Sequence, residues 1–369
     1  MTFRATTGVD VVFTGGGTGG HLYPGIAIAR ALVRARPEVR PFFVGAQRGI
    51  ERDILPTTEF PHLLLDLHPL YRPKVWQNWR TLRGAMSGWG ELDRLMRERH
   101  PRLVVGTGGY AAGLTSLWGW ARGVRVVQHI GDAIPGITAR WSARVCTEAY
   151  LGYPEAERFL PHNGCVFRDT GNPIEPPPDI KPAAAEARAR WGLPAAATVL
   201  LVFGGSQGAR ALNRAVANWI ERGLPKGLCV LWATGKAHYD AFKHLDRPDV
   251  RVLSYIAPIA EAYATADLAL VRGGMMGSSE LCAWGVPMVI VPLPTAANDH
   301  QTANAKVLET AGAARHLPES ELTADRLDLE LRSLLADPAK LAAMSKAAKA
   351  RGRPRAAAEI AGHIARLLG

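Results

Sequence analysis

The stretch Thr14-Gly15-Gly16-Gly17-Thr18-Gly19-Gly20-His21 sets one titratable side chain at the end of a run of glycines. A backbone so nearly bare brings its N–H groups close to an anionic ligand, and a helix start adds the positive end of its dipole. His21, an imidazole with an ordinary pKa of about 6.5, can take a proton near neutrality. The apolar run Val11-Val12-Phe13 precedes the glycines and Leu22-Tyr23-Pro24-Gly25-Ile26 follows them, which predicts strand, tight turn and helix, with a proline tolerated near the helix start. A Rossmann nucleotide site reads similarly, and so does a packing turn with an incidental histidine. A second loop of this kind, Gly204-Gly205-Ser206-Gln207-Gly208-Ala209-Arg210 after Thr198–Phe203, favours a ligand. There a hydroxyl and an amide join the glycines, and both suit a diphosphate.

Three more loops follow apolar runs. They are Gly106-Thr107-Gly108-Gly109-Tyr110, Gln128-His129-Ile130-Gly131-Asp132, and Arg272-Gly273-Gly274 leading to Glu280. Glu280 reads as a carboxylate in the first turn of a helix, where it can accept hydrogen bonds from a ribose diol or complement the helix dipole. The polar stretch Ala297-Asn298-Asp299-His300-Gln301-Thr302-Ala303-Asn304 comes after one more strand. Strands alternating with helical patterns must form parallel sheets, whose ligand crevice lies at the strand C-termini. The fold class is therefore α/β, with two Rossmann-like halves facing a central cleft. Gly171-Asn172-Pro173-Ile174-Glu175-Pro176-Pro177-Pro178 breaks the pattern as a stiff linker. Residues 1–170 are read as the N-terminal domain, 171–180 as the linker and 181–369 as the C-terminal domain, with the final helix able to return to the first.

At 369 residues and 21% charged, the chain suits two globular domains. A formal charge of +11 calls for an anionic partner: nucleic acid, a membrane surface or a phosphorylated small molecule. No compact Lys/Arg run supports nucleic acid. Cys146, Cys165, Cys229 and Cys282 show no Cys-x-x-Cys spacing, so neither a metal site nor a disulfide framework is expected, and reduced thiols are. The nearest match to a metal-binding acidic pair, Asp328-Leu329-Glu330, has a helical context, so neither metal nor cofactor is expected. No signal peptide and no run of 18 apolar residues are present, which reads as a soluble or peripheral protein.

Trp76, Trp79, Arg83, Met86 and Trp89 recur at helical spacing, with Arg72, Lys74 and Arg80 interleaved, and Trp118 and Trp120 add aromatic surface. Such a stripe is core in most proteins. Its basic neighbours also make Trp76, Trp79, Arg80, Arg83 and Trp89 a candidate patch for an anionic membrane.

Gly15 to Pro24, Gly106 to Tyr110, Gly204 to Ala209, Thr234-Gly235-Lys236 and Asp299 to Ala305 resemble, in order, the motifs of the MurG family. That family is the peripheral N-acetylglucosaminyltransferase of bacterial peptidoglycan synthesis, of the two-domain architecture called GT-B. The resemblance implies inverting transfer of N-acetylglucosamine from UDP-N-acetylglucosamine to the muramyl sugar of undecaprenyl-linked lipid I, at the cytoplasmic face of the plasma membrane. It implies that Gly204, Gly205, Ser206, Gln207, Gly208, Ile256, Arg272, Glu280, His300 and Gln301 bind the UDP-sugar. Thr18, Gly19, Gly20, His21, Gly108, Gly109, Tyr110 and Asp132 would meet the acceptor, with His21 or Asp132 as the base. Other cell-wall enzymes are further partners it allows; nucleic acid is not.

Two departures bear on this. Ile130-Gly131-Asp132 stands where family members carry Glu-Gln-Asn, and Glu175 stands where the family has an arginine, which leaves Arg272 or Arg210 to supply the cation. The rival readings are a lipid glycosyltransferase with another acceptor such as diacylglycerol, a nucleotide-sugar-binding scaffold without catalysis, and a dinucleotide-dependent oxidoreductase. Against the last, neither first strand leads cleanly into a Gly-x-Gly-x-x-Gly with an acidic residue about 20 positions on.

Overall fold

The structure is a computed structural model describing residues 8–68, 78–205 and 209–369, without the side chains of 78–83 and 85. The chain divides into two compact units: one runs up to Ile174 and includes Arg355–Gly369, the other is Glu175–Pro354. Each is built on a parallel sheet.

In the first unit the strands are β1 (Val9–Thr14), β2 (Val39–Ala46), β3 (His62–Leu65), β4 (Leu103–Gly106), β5 (Arg125–Ile130), β6 (Glu148–Leu151) and β7 (Val166–Asp169). Their order is β3-β2-β1-β4-β5-β6-β7, every neighbour parallel. Parallel strands covered by helices on both faces are apolar throughout, and Val11, Val12, Phe13, Val104 and Val105 are completely buried. The chain reverses its direction of strand addition between β1 and β4, which pair with Thr14 opposite Gly106. An open sheet binds its ligands at such a reversal, because the two flanking loops part there.

The second unit repeats the scheme with β8 (Thr198–Phe203), β9 (Leu228–Ala233), β10 (Val250–Leu253), β11 (Leu268–Val271), β12 (Met288–Ile290) and β13 (Ala314–His316), in the order β10-β9-β8-β11-β12-β13. The reversal here lies between β8 and β11, where Phe203 faces Val271. Trp219 and Trp232 fill this core, and the Trp219 indole N–H donates to Asp328 Oδ1 at 2.9 Å. Asp328 is thereby a packing partner of the core.

The last helix, Ala356–Leu368, completes the first unit. It buries Ala357, Ile360, Ala361 and Ile364 in the cluster that holds Val11, Phe13, Ile28 and Leu32. Burying an isoleucine contributes about 1.5–3 kcal/mol, so Ile360 and Ile364 alone anchor the helix. Arg36 and Arg125 bond to the carbonyls of Ala365 and Leu367 at its end, as cations at a helix C-terminus do. Among the described residues no helix is long and apolar enough to cross a membrane.

Candidate active site

At the β1–β4 reversal the glycine loop is clamped from two sides. Thr107 Oγ1 donates to the His21 carbonyl at 2.6 Å, and Gly16 N–H donates to the Gly108 carbonyl at 3.2 Å. The fit leaves no room for side chains: a Cβ on Gly15 would sit 2.0 Å from Thr107 Oγ1, and one on Gly109, whose φ is +82°, 2.2 Å from the Gly16 carbonyl. Beneath lies Glu51, fully buried, accepting from the N–H groups of Gly17 at 2.9 Å and Ala46 at 3.2 Å. Sequence reasoning passed over Glu51, because its spacing is that of any helix-surface acid and only the fold brings it under Gly16.

The helix after this loop, Gly19–Ala35, begins three residues before the expected Leu22, so Gly19, Gly20 and His21 form its first turn. Pro24, within that helix, has no N–H to give the Gly20 carbonyl. The Thr107 bond to the next carbonyl, that of His21, steadies this loosened turn. His21 Nδ1 lies 3.1 Å from the Gly16 carbonyl and 3.4 Å from Thr18 Oγ1. A carbonyl only accepts, so Nδ1 carries the proton in that contact and the lone pair of the neutral ring is on Nε2. The ring lies flat against Gly108, where a Cβ would come within 3.0 Å of Nε2.

His129 is buried near His21 at the end of β5, and burial pushes its pKa down to about 3, so it stays neutral. Asn172 faces it and donates to the Gly131 carbonyl at 3.2 Å, tying the end of the unit's chain to the β5 loop. Asp132, half-buried, follows in that loop, two strand positions from β1 and so roughly 10 Å across the sheet edge from the His21 loop. Tyr110 packs against Gly17. The helices Gly19–Ala35 and Gly109–Ala121 have no acidic residue in the first turn and no side-chain cap, which keeps their N-terminal N–H groups open to an anion. Thr323 and Asp337, by contrast, cap the helices Ala324–Leu335 and Pro338–Arg351.

The second unit gathers side chains instead. Ser206, Gln207 and Gly208 lie outside the described residues. Gly204 and Gly205 follow β8, Gly205 at φ +91° with open space around it, and Arg210, exposed, starts the next helix. Glu280 is the sixth residue of the helix Met275–Trp284, so it stands in the second turn, not the first. It is therefore past the reach of the helix dipole. Its Oε2 accepts from Tyr263 OH at 2.6 Å, and burial, followed by the nearby Glu175, raises its pKa against the lowering effect of that bond. Glu175 thus stands beside the candidate ribose ligand.

Arg272 is buried and engaged: it donates to the carbonyls of Val291 and Pro292 at 3.1 Å each and pairs with Glu319. The expectation that it replaces the missing arginine as a phosphate cation is corrected. Arg272 braces the ends of β11, β12 and β13, which leaves Arg210 of the two candidates. Ile256 is buried, so its backbone is what it can offer a ligand.

The loop before the helix His300–Thr310 is strained, with Asn298 at φ +54° and Asp299 at φ +53°. His300 Nδ1 sits 2.7 Å from the Ala297 carbonyl, and Gln301 Oε1 accepts from Leu293 N–H at 2.9 Å, so both rings of contact are set by local backbone. Buried Asn304 donates to the Gly273 carbonyl at 3.0 Å, and a Cβ on Gly273 would strike the Gln301 carbonyl. A pocket of about 500 Å³ at the same sheet edge is lined by Pro292, Pro294, Asp299, Thr302, His316 and Glu319. It borders this loop but is lined by neither His300 nor Gln301.

Residues 11–151 match the glycosyltransferase family 28 N-terminal domain and residues 199–360 its C-terminal domain. The chain is 37% identical to the UDP-N-acetylglucosamine–N-acetylmuramyl-(pentapeptide) pyrophosphoryl-undecaprenol N-acetylglucosamine transferase of Desulforudis audaxviator, over 97% of this chain and 98% of that one. It is 38% identical to the protein of the same name from Salinibacter ruber, over 97% and 96%. The crystal structure of Acinetobacter baumannii MurG superposes with a TM-score of 0.79 at 26% identity, covering 97% of this chain and 99% of that one. The chain belongs to the MurG family.

MurG-family membership makes the chain a glycosyltransferase, with the two parallel-sheet units of GT-B. A Staphylococcus aureus MnaA–UDP structure shares the fold alone, at TM-score 0.68 and 13% identity. The aromatic stripe divides. Trp76 lies outside the described residues, as do the side chains of Trp79, Arg80 and Arg83 on the helix Asn78–Arg99. Trp89, half-buried, packs partly against the core, and Trp118 is buried with its N–H on Asp93. Met86 and Trp120 are exposed, at 71% and 57%.

Proposed function

We propose that this chain transfers N-acetylglucosamine from UDP-N-acetylglucosamine to the muramyl sugar of lipid I, giving lipid II with inversion at the anomeric carbon. The observation that carries the reading is the His21 ring, held by Gly16 and Gly108 in the first turn of an uncapped helix, in a chain that matches its relatives over nearly their full length. In this reading the first unit receives the acceptor. The N–H groups at Thr18 to Gly20 and at Gly109 and Tyr110 hold the acceptor's diphosphate, while His21 Nε2 takes the proton of the attacking hydroxyl. Asp132 is the second candidate base.

The second unit takes the donor. Glu280 accepts from the ribose hydroxyls, and Gly204 to Gly208 with the start of the helix Arg210–Glu221 receive the diphosphate, whose charge grows as UDP departs. His300 and Gln301 meet the N-acetylglucosamine, and Ile256 contributes backbone to the base. Arg210 stands in for the family's missing arginine. The exposed Met86 and Trp120, with the basic helix Asn78–Arg99, support docking on an anionic membrane. The cytoplasmic face of the plasma membrane is the location this implies.

UDP release measured with a soluble lipid I analogue, beside diacylglycerol, tests the reaction. Turnover with the first alone is expected. Turnover with diacylglycerol, or donor binding without turnover on either, overturns it. Co-sedimentation with anionic liposomes tests docking: binding that survives Trp120→Ala with Met86→Ala removes those two residues from the docking surface.

A further inference from the structure

Two of the four cysteines, unrelated by spacing, come together in the fold. Cys146 precedes β6 and Cys165 precedes β7, and their Sγ atoms are 3.1 Å apart. The adjacent chain segments are held by backbone and side chain alike: Val166 N–H donates to the Thr147 carbonyl at 3.0 Å, and Asn163 Nδ2 to the Arg144 carbonyl at 2.9 Å. The ladder pairs Glu148 with Val166, so one step back sets Thr147 opposite Cys165. With strands about 4.8 Å apart and a rise of about 3.3 Å per residue, the two cysteine Cα atoms are then roughly 6 Å apart. Disulfides span Cα separations of about 4.4–6.8 Å.

The two sulfurs differ in environment. Cys146 is buried, whereas Cys165 is half-buried beside the exposed residues His162, Asn163 and Gly164. The contact between the sulfurs, in which either can donate, lowers the Cys165 pKa and raises that of Cys146, which burial raises further. Cys229 and Cys282 are buried in the other unit.

We propose that Cys146 and Cys165 are a redox-active dithiol that closes to an intramolecular disulfide on reaction with a peroxide. The Cys165 thiolate attacks a peroxide oxygen; the O–O bond breaks, hydroxide leaves, and Cys165 becomes a sulfenic acid. The Cys146 sulfur then attacks Cys165, the S–O bond breaks, and the Cys146 proton leaves with the hydroxyl as water. Two electrons pass from the thiols to the peroxide, and a low-molecular-weight thiol in excess restores the pair. The bond closes a loop holding β6 and the turn Pro154–Phe159, and it sits at the N-terminal ends of β6 and β7. That edge is opposite the one that carries the glycine loops, so oxidation staples the first unit without touching its ligand side.

The test treats the intact chain with a small excess of hydrogen peroxide, unfolds it and counts thiols. Half of the four thiols should be lost and be recovered with dithiothreitol. Trypsin without reductant should release Val145–Arg158 joined to Phe159–Arg168, and the thermal midpoint of the first unit should rise by a few degrees. Cys146→Ser should abolish the joined peptide and leave Cys165 as a sulfenic acid that dimedone traps; Cys165→Ala should protect Cys146. Separate peptides with Cys165 as sulfinic acid overturn the proposal. So does a Cys165 in Cys146→Ser that oxidises no faster than Cys229 and Cys282 do.

Discussion

The same sheet reversal is furnished in opposite ways in the two units. At β1–β4 the ligand side is mostly backbone, with buried Glu51, Thr107 and Asn172 behind it and His21 locked in front. At β8–β11 it is side chains: Glu280 on Tyr263, Gln301 on Leu293, Arg272 on Glu319, around a loop with two strained non-glycine residues. Backbone N–H groups recognise charge with little regard to what bears it, as suits a diphosphate on a large acceptor. Carboxylates and amides set at chosen positions tell one nucleotide-sugar from another, because a site left with an unmatched buried polar group loses affinity.

The contrast can be broken most directly at His21. His21→Ala should lower kcat by about 10²–10⁴-fold and leave UDP affinity unchanged, read by steady-state kinetics beside calorimetry. A loss below about 10-fold would pass the base to Asp132, and Asp132→Asn would then show the larger loss. Gly109→Ala forces a Cβ into the Gly16 carbonyl at positive φ. It should destabilise the first unit by about 2 kcal/mol or more in urea unfolding, whereas Gly205→Ala, strained but in open space, should cost about 1 kcal/mol.

His129 extends the comparison to pH. The fold holds it neutral down to about pH 3, while the unfolded chain's imidazole binds a proton below about 6.5. The unfolded state therefore carries more protons between those values, so the stability of the first unit is whole above about pH 6.5 and falls as pH drops through that window. The slope is on the order of 1 kcal/mol per pH unit. Urea unfolding at pH 7 and pH 5 should show it in the wild type and show it flattened in His129→Gln. An equal slope in both would mean that other groups carry the acid sensitivity.

In the second unit the effects are smaller. Glu280→Gln should raise the donor KM by about 10-fold with kcat little changed, since a ribose contact is made in ground and transition states alike. Smallest is Glu175→Gln. Burial and Glu175 raise the Glu280 pKa, so acidification should weaken UDP binding sooner than for an ordinary glutamate. Removing the Glu175 charge should move that weakening to lower pH, as calorimetry between pH 4.5 and 7 would show. An unmoved profile would separate Glu280 from the ribose.

The glycine loops and the long apolar strands were legible because one-dimensional pattern determines them: β1, β8 and β9 are largely buried and carry the apolar runs Val11–Phe13, Val199–Phe203 and Leu228–Ala233. The short strands β6, β7 and β13 were not, since Glu148, Arg168 and Arg315 sit within them and satisfy their charges only across the fold, as in the Arg168–Glu148 pair. Glu280 was assigned a helix turn too early because Met275 to Ser279 were read with the strand-end loop, when the helix has already begun at Met275. Arg272 looked like a phosphate cation because an arginine before two glycines carries no mark of the Glu319 that engages it forty-seven residues on. The tryptophan period named a face without saying which side is wet: Trp89 packs against the core while Met86, on the same helix, is exposed. Glu51, which shapes the cradle, had no local signal at all.

The chain enters the second unit after Ile174 and leaves it after Pro354, so the whole of that unit is an insertion in the first. During synthesis the second unit has all of its sequence before the first does. The first unit, begun earliest, must wait for Ile360 and Ile364 to leave the ribosome before its core can close. A nascent chain therefore exposes the face of Val11, Phe13 and Leu32 until the helix Ala356–Leu368 has emerged, and the unit that begins first is completed after the second. A product cut short before that helix would keep the second unit whole and lack a finished first unit.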